Sequence, residues 1–186
     1  MDRDLIKRLF CKDFTNDEAD LFVSVCEKTG LSPEARQIYA MARYDSKKGK
    51  NVINILTSID GFRVVADRTG KYCGQLGPFF CGIDGVWSDC WLNDGYPFAA
   101  KIGVLRKDFN EPIWSVARWS SYVQASKDGK VGQSWHKMPD IMLSKCAEAL
   151  ALRKAFPQEL SGVYTADEMS SVVDEDQKND DEHGIE

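Results

Sequence analysis

Four aspartates are the first candidates for chemistry. Asp60, Asp84, Asp89 and Asp94 are of the type that converges on divalent cations in metal-dependent nucleases. Turn and capping roles account for them more simply: Asp60-Gly61 and Asp94-Gly95 read as turn pairs, and Pro139-Asp140 is not followed by an acidic-x-Lys element. Lys48-Gly49-Lys50 is a basic turn. It lacks the preceding glycine and following hydroxyl that phosphate and magnesium binding need, so ATP-driven chemistry is not expected. The six cysteines (Cys11, Cys26, Cys73, Cys81, Cys90 and Cys146) form no Cys-x-x-Cys pair, and there are only two histidines. Zinc ligands usually come as close pairs, so no metal is predicted, and the cysteines read as buried free thiols. No Gly-x-Ser-x-Gly elbow or Cys/His nucleophile pairing is present. The sequence predicts no catalytic constellation and no cofactor.

Cations give a sharper signal. Pro139 to Phe156 reads as the longest helix, with proline in its first turn. At about 100° per residue, Met142, Leu143, Cys146, Ala149, Leu150, Leu152 and Phe156 make an apolar arc, and Asp140, Ser144, Glu148 and Lys154 the opposite one. Lys145 and Arg153 fall inside the apolar arc. A buried cation is costly without an anion. Two readings stay open: they pair with internal carboxylates or snorkel outward, or their face borders a groove for an anionic ligand. A second signal is the mixture of Arg106, Lys107, Trp114, Arg118, Trp119, Tyr122, Lys127, Lys130, Trp135 and Lys137 in a short span. Nucleic-acid grooves combine phosphate-neutralising cations with flat rings. Trp114 and Trp119 are read as core first and base platforms second, and Lys127 and Lys130 as a solvated loop.

The elements that must position these residues are legible from periodicity. Asp4 to Gly30 reads as helical, with Thr15-Asn16-Asp17-Glu18 as a capping box and Gly30 as a stop. Leu31-Ser32-Pro33 breaks the chain. Gln37 to Tyr44 and Val52 to Thr57 read as a hairpin around a basic turn, and Ile59 to Arg68 as a short helix. Tyr72 to Trp91 is rich in Gly, Cys and aromatics, with a turn at Gly82-Ile83-Asp84-Gly85. Ala100 to Leu105 and Ile113 to Ala117 read as a second hairpin, and Thr165-Ala166-Asp167-Glu168 starts a last helix. Strands in the middle and helices at both ends predict an α+β fold with a central antiparallel sheet.

The whole chain has 186 residues and a formal charge of −5. That length suits one domain, 1–173, with an N-terminal helical segment, 1–30, and a core, 31–173. Asp174 to Glu186 holds seven acids and one lysine, a net of −6, and reads as a disordered acidic tail. The body is then +1, and Lys101 to Lys154 is +5. Net charge alone would argue against a nucleic-acid partner; its distribution does not. No apolar run approaches the roughly 20 residues of a membrane span, and Met1-Asp2-Arg3-Asp4 does not open a signal peptide, so neither secretion nor a membrane partner is expected.

Several ordered blocks resemble one family. Leu31-Ser32-Pro33, Gln37-Ile38-Tyr39-Ala40, Ser58-Ile59-Asp60-Gly61-Phe62-Arg63 and Thr69-Gly70-Lys71-Tyr72 carry the resemblance. So do Trp135-His136-Lys137-Met138-Pro139, the run from Met142 to Pro157, and Leu160-Ser161-Gly162-Val163-Tyr164. Together they are similar to the RecT/Redβ family of phage single-strand annealing proteins. The resemblance covers most of Leu31 to Val173.

It implies a non-enzymatic, ATP-independent protein of homologous recombination, acting in the cytoplasm of a bacterial host. Such a protein coats single-stranded DNA along a basic groove, self-assembles into rings or helical filaments, and pairs the strand into an annealed duplex. A partner exonuclease and a host single-strand binding protein are the other partners the resemblance brings. By residue, it assigns DNA binding to Arg36, before the Ile-Tyr strand, and to Arg153 and Lys145 in the long helix, with Lys137 and Arg63 as further contacts. Asp140 and Ile141 depart from the family, whose best-known member is basic there. The alternative reading is a protein that protects single strands without annealing them.

Overall fold

The computed structural model describes residues 2–12, 14–45, 49–125, 129–160 and 163–165. The basic turn at 46–48, the loop at 126–128, the helix expected from Thr165 onward and the acidic tail therefore lie wholly or largely outside the described residues. By Cα proximity the chain divides into two compact units, Met1–Val65 and Ala66–Glu186.

The first unit begins with two helices, α1 (Arg3–Phe10) and α2 (Asn16–Thr29), where the sequence reading had one helical segment. The break follows from the capping box. Thr15 must be extended (φ −66°, ψ 162°) for its hydroxyl to accept from the Glu18 N–H, so α1 cannot run through it. Glu18 reciprocates by accepting from the Thr15 N–H at 2.9 Å. These contacts hold the Glu18 carboxyl below its ordinary range. Gly30 ends α2 in the left-handed region (φ 62°), as a C-terminal glycine can without strain. Strands β1 (Ile38–Asp45) and β2 (Lys50–Thr57) form the expected antiparallel hairpin, in register from Ile38 opposite Thr57 to Asp45 opposite Lys50. Ile6, Phe22, Val23, Cys26, Leu31 and Ile38 make the core of this unit. Burial pushes the Cys26 thiol up to about 11.

Helix α3 spans Ile59–Arg68, the limits read from the sequence, and the boundary between units falls inside it. Asp60-Gly61 is thus in a first helical turn and not a separate turn pair, because the Ser58 hydroxyl accepts the Gly61 N–H and starts the helix.

The second unit is a four-stranded antiparallel sheet in the order β4-β3-β5-β6, made of β3 (Tyr72–Cys81), β4 (Trp87–Ser88), β5 (Ala99–Arg106) and β6 (Ile113–Arg118). The turn at Gly82–Gly85 closes with a Gly85 N–H to Gly82 carbonyl bond. Two helices that were not anticipated, α4 (Trp119–Tyr122) and α5 (Gln133–Lys137), precede α6 (Pro139–Ala155). Helix α6 packs on β5 and β6. Its burial corrects the two-arc projection: Glu148, placed on the solvated arc, is only 4% exposed. Ala147, Ala151 and Ala155 lie on that same arc at helical spacing and are fully buried, so Glu148 is enclosed with them. The architecture is α+β.

Candidate nucleic-acid interface

Arg36 stands where the chain turns from Pro33 into β1. Its N–H donates to the Pro33 carbonyl, and its backbone is left-handed, with φ 55°. Among the described residues it is the one non-glycine with positive φ. Such a conformation costs an L-residue about 1–2 kcal/mol, and it holds the side chain exposed at the mouth of the strand.

The next carbonyl, that of Gln37, is a junction. It accepts from the Ser58 N–H at 3.0 Å and from the Ser58 hydroxyl at 3.4 Å. A Cβ on Gly61 would lie 2.3 Å from that same oxygen and 2.5 Å from the Thr57 methyl, so only glycine fits. The start of α3 is thereby fastened beside the Arg36 turn. Arg63, one turn into α3, is exposed and pairs with Asp60 at 2.9 Å. At an exposed i,i+3 spacing this pair is weak and can yield to a phosphate.

Lys137, Lys145 and Arg153 belong to the second unit. Lys137 is exposed at the end of α5, and Lys145 is half-buried on α6. Arg153 is also half-buried. Its Nη2 donates to the Val163 carbonyl at 2.9 Å, and its guanidinium lies 5.0 Å from the Tyr164 ring centre. The structure therefore adds to the two sequence readings: a carbonyl and a ring engage Arg153, which fastens residues 163–164 to α6.

The cation–aromatic mixture separates into different roles. Arg106 is structural. Its Nε and Nη2 donate to the two carboxylate oxygens of Asp108 at 2.9 and 2.7 Å, and its Nη1 donates to the Ala155 carbonyl. The guanidinium lies near the rings of Phe109 and Phe156 and so clips the end of β5 to the end of α6. Arg106, joined by Lys71, holds the Asp108 carboxyl well below the usual carboxylate range. The i,i+2 spacing of Arg106 and Asp108 was a readable signal on a strand end; the Ala155 contact was not.

The tryptophans also divide. Trp119 is 8% exposed, stacked on Tyr96 at 4.3 Å and edge-on to Trp135, which is buried. Trp114 is 37% exposed. Cys11, Cys26, Cys81 and Cys146 are buried free thiols, but Cys73 and Cys90 are exposed, contrary to the uniform burial expected from their type. Among the described residues, no three His, Cys, Asp or Glu side chains converge where they could hold a metal ion, and no helix is long and apolar enough to cross a membrane.

These features define an α+β protein that presents cations and a tryptophan ring at its surface. The sequence model of the RecT family matches residues 3–182, nearly the whole chain, and the chain belongs to that family. RecT proteins are single-strand annealing proteins of DNA recombination, which act by association with single-stranded DNA and with themselves. The comparison with curated proteins gives no match.

Proposed function

We propose that this protein anneals complementary DNA strands without ATP, binding one strand through its phosphates as an oligomer and presenting the bases to a second. Family membership over residues 3–182 is the observation that carries this reading. Annealing breaks no covalent bond. It requires that the repulsion between two phosphate backbones be neutralised while base edges stay open.

Arg36 and Arg63 in the first unit, and Lys137 and Lys145 in the second, suit the phosphate role: none is fully buried, and the Arg63–Asp60 pair is exposed. Arg153, half-buried and held by the Val163 carbonyl and the Tyr164 ring, is assigned with them. Few contacts per subunit suffice, because an oligomer multiplies them along a strand.

The test is an order-of-addition assay. The protein is mixed with one labelled strand, and the complement is added without nucleotide. Faster pairing than in protein-free solution supports annealing. Binding accompanied by slower pairing would make the protein a strand protector, and degradation of the strand on adding magnesium would make it a nuclease.

A further inference from the structure

The sheet of the second unit has one packed face, and its other face is open along β6 and at Trp87. Along β6, Ser115 and Ala117 are buried while Trp114, Val116 and Arg118 are exposed, as strand alternation requires. On β5, Ala100, Ile102 and Val104 are buried, and Lys101 and Gly103 fall on the other face.

Three rings gather around Lys101. Its Nζ lies 4.4 Å from the Trp87 ring centre, 5.1 Å from Trp114 and 5.6 Å from Phe79. Trp87 and Trp114 are both more than a third exposed. Gly103 explains the pose of Trp114. A Cβ at Gly103 would sit 2.9–3.0 Å from three atoms of the indole, so the absence of a side chain lets the ring lie against the strand. The ring is thus held from below and open above.

The charge of this face selects its occupant. Lys101 and Arg118 stand on it, and the four strands contain no Asp or Glu. A dry protein partner would strip water from Lys101 and offer it nothing in return unless it placed a carboxylate there. A single nucleic-acid strand supplies both complements at once, a flat base for the indole and a phosphate for the ammonium.

We propose that the open sheet face is a base-stacking platform for single-stranded DNA, with Trp114 as the principal ring, Trp87 beside it and Lys101 as the phosphate contact. The proposal rests on the annealing reading and extends it, because it puts base contacts on the sheet and not on the cations named above.

The test compares an ordinary single-stranded oligonucleotide with an abasic strand of equal length. Wild-type protein is expected to bind the ordinary strand more tightly, with quenching of tryptophan fluorescence. Trp114→Ala and the apolar Trp114→Leu are each expected to lose about tenfold in affinity for the ordinary strand and nothing for the abasic one. Gly103→Ala, which displaces the ring without removing it, is expected to fall in the same direction.

Variants that bind both strands as wild type does would overturn the platform. So would equal losses on both strands, or a change in particle size with DNA affinity intact, which would mark the face as a surface for a second copy. If wild-type protein binds and pairs DNA while the Trp114 variants match it, the platform fails and the annealing reading stands. If wild-type protein binds no single strand, both fail.

Discussion

Replacing Arg36 separates the backbone of this residue from its side chain. The left-handed φ of 55° costs a non-glycine residue about 1–2 kcal/mol. Glycine removes that cost but has more freedom to lose on folding, worth about 0.5–1 kcal/mol. Arg36→Gly is therefore expected to be more stable than Arg36→Ala by about 0.5–1 kcal/mol, which for a chain of this size raises Tm by about 1–4 °C. The exposed side chain contributes little to the fold, so Arg36→Ala should melt near wild type. With Arg36 in the proposed phosphate role, both variants delete one contact per subunit. The slope of log affinity against log salt for single-stranded DNA should drop by about 0.7 in each. Thermal melts and a salt titration of binding are the two assays. A glycine variant no more stable than the alanine variant would refute the strain argument, and an unchanged slope in both would remove Arg36 from the interface.

Further consequences follow from other contacts. Gly61→Ala should destabilise the protein by about 3 kcal/mol, at the top of the overpacking range, because its Cβ would meet the Gln37 carbonyl; a denaturant midpoint close to wild type would contradict this. Thr15→Ala should cost about 1 kcal/mol through loss of the capping box, read by the same midpoint. Asp108 has its carboxyl depressed in the folded state by Arg106 and Lys71. Its stabilising contribution is therefore present above the ordinary aspartate range, near pH 4, and is lost as pH falls below it. Asp108→Asn should accordingly melt below wild type at neutral pH, with the gap closing in acid; a gap independent of pH would contradict the pairing.

Much of the fold was legible because its signals are local. The capping box at Thr15, the stop at Gly30 and the period of Ile59–Arg68 each depend on a few neighbouring residues. The hairpins were legible because turn residues separate alternating apolar runs. The short helices α4 and α5 span about one turn each, too little for a period to show.

Burial on α6 was misjudged at Glu148 because Ala147, Ala151 and Ala155 carry little hydrophobic weight in a projection, although close packing favours small residues. The same effect hid Trp114. The β6 pattern puts small Ser115 and Ala117 inside and the tryptophan outside, the reverse of a ranking by size. The role of Arg106 depended on Ala155, remote in sequence, and no local pattern carries that information.

The central claim is that the protein accelerates strand pairing while bound to one strand. The direct measurement is the pairing rate of two complementary oligonucleotides without ATP, comparing wild type with a variant carrying Arg36→Ala, Arg63→Ala, Lys137→Ala and Lys145→Ala together. Wild type is expected to pair the strands faster than in protein-free solution, and the folded variant at a rate near the protein-free value. Wild-type pairing no faster than in protein-free solution, under conditions where the first strand is fully bound, would contradict it.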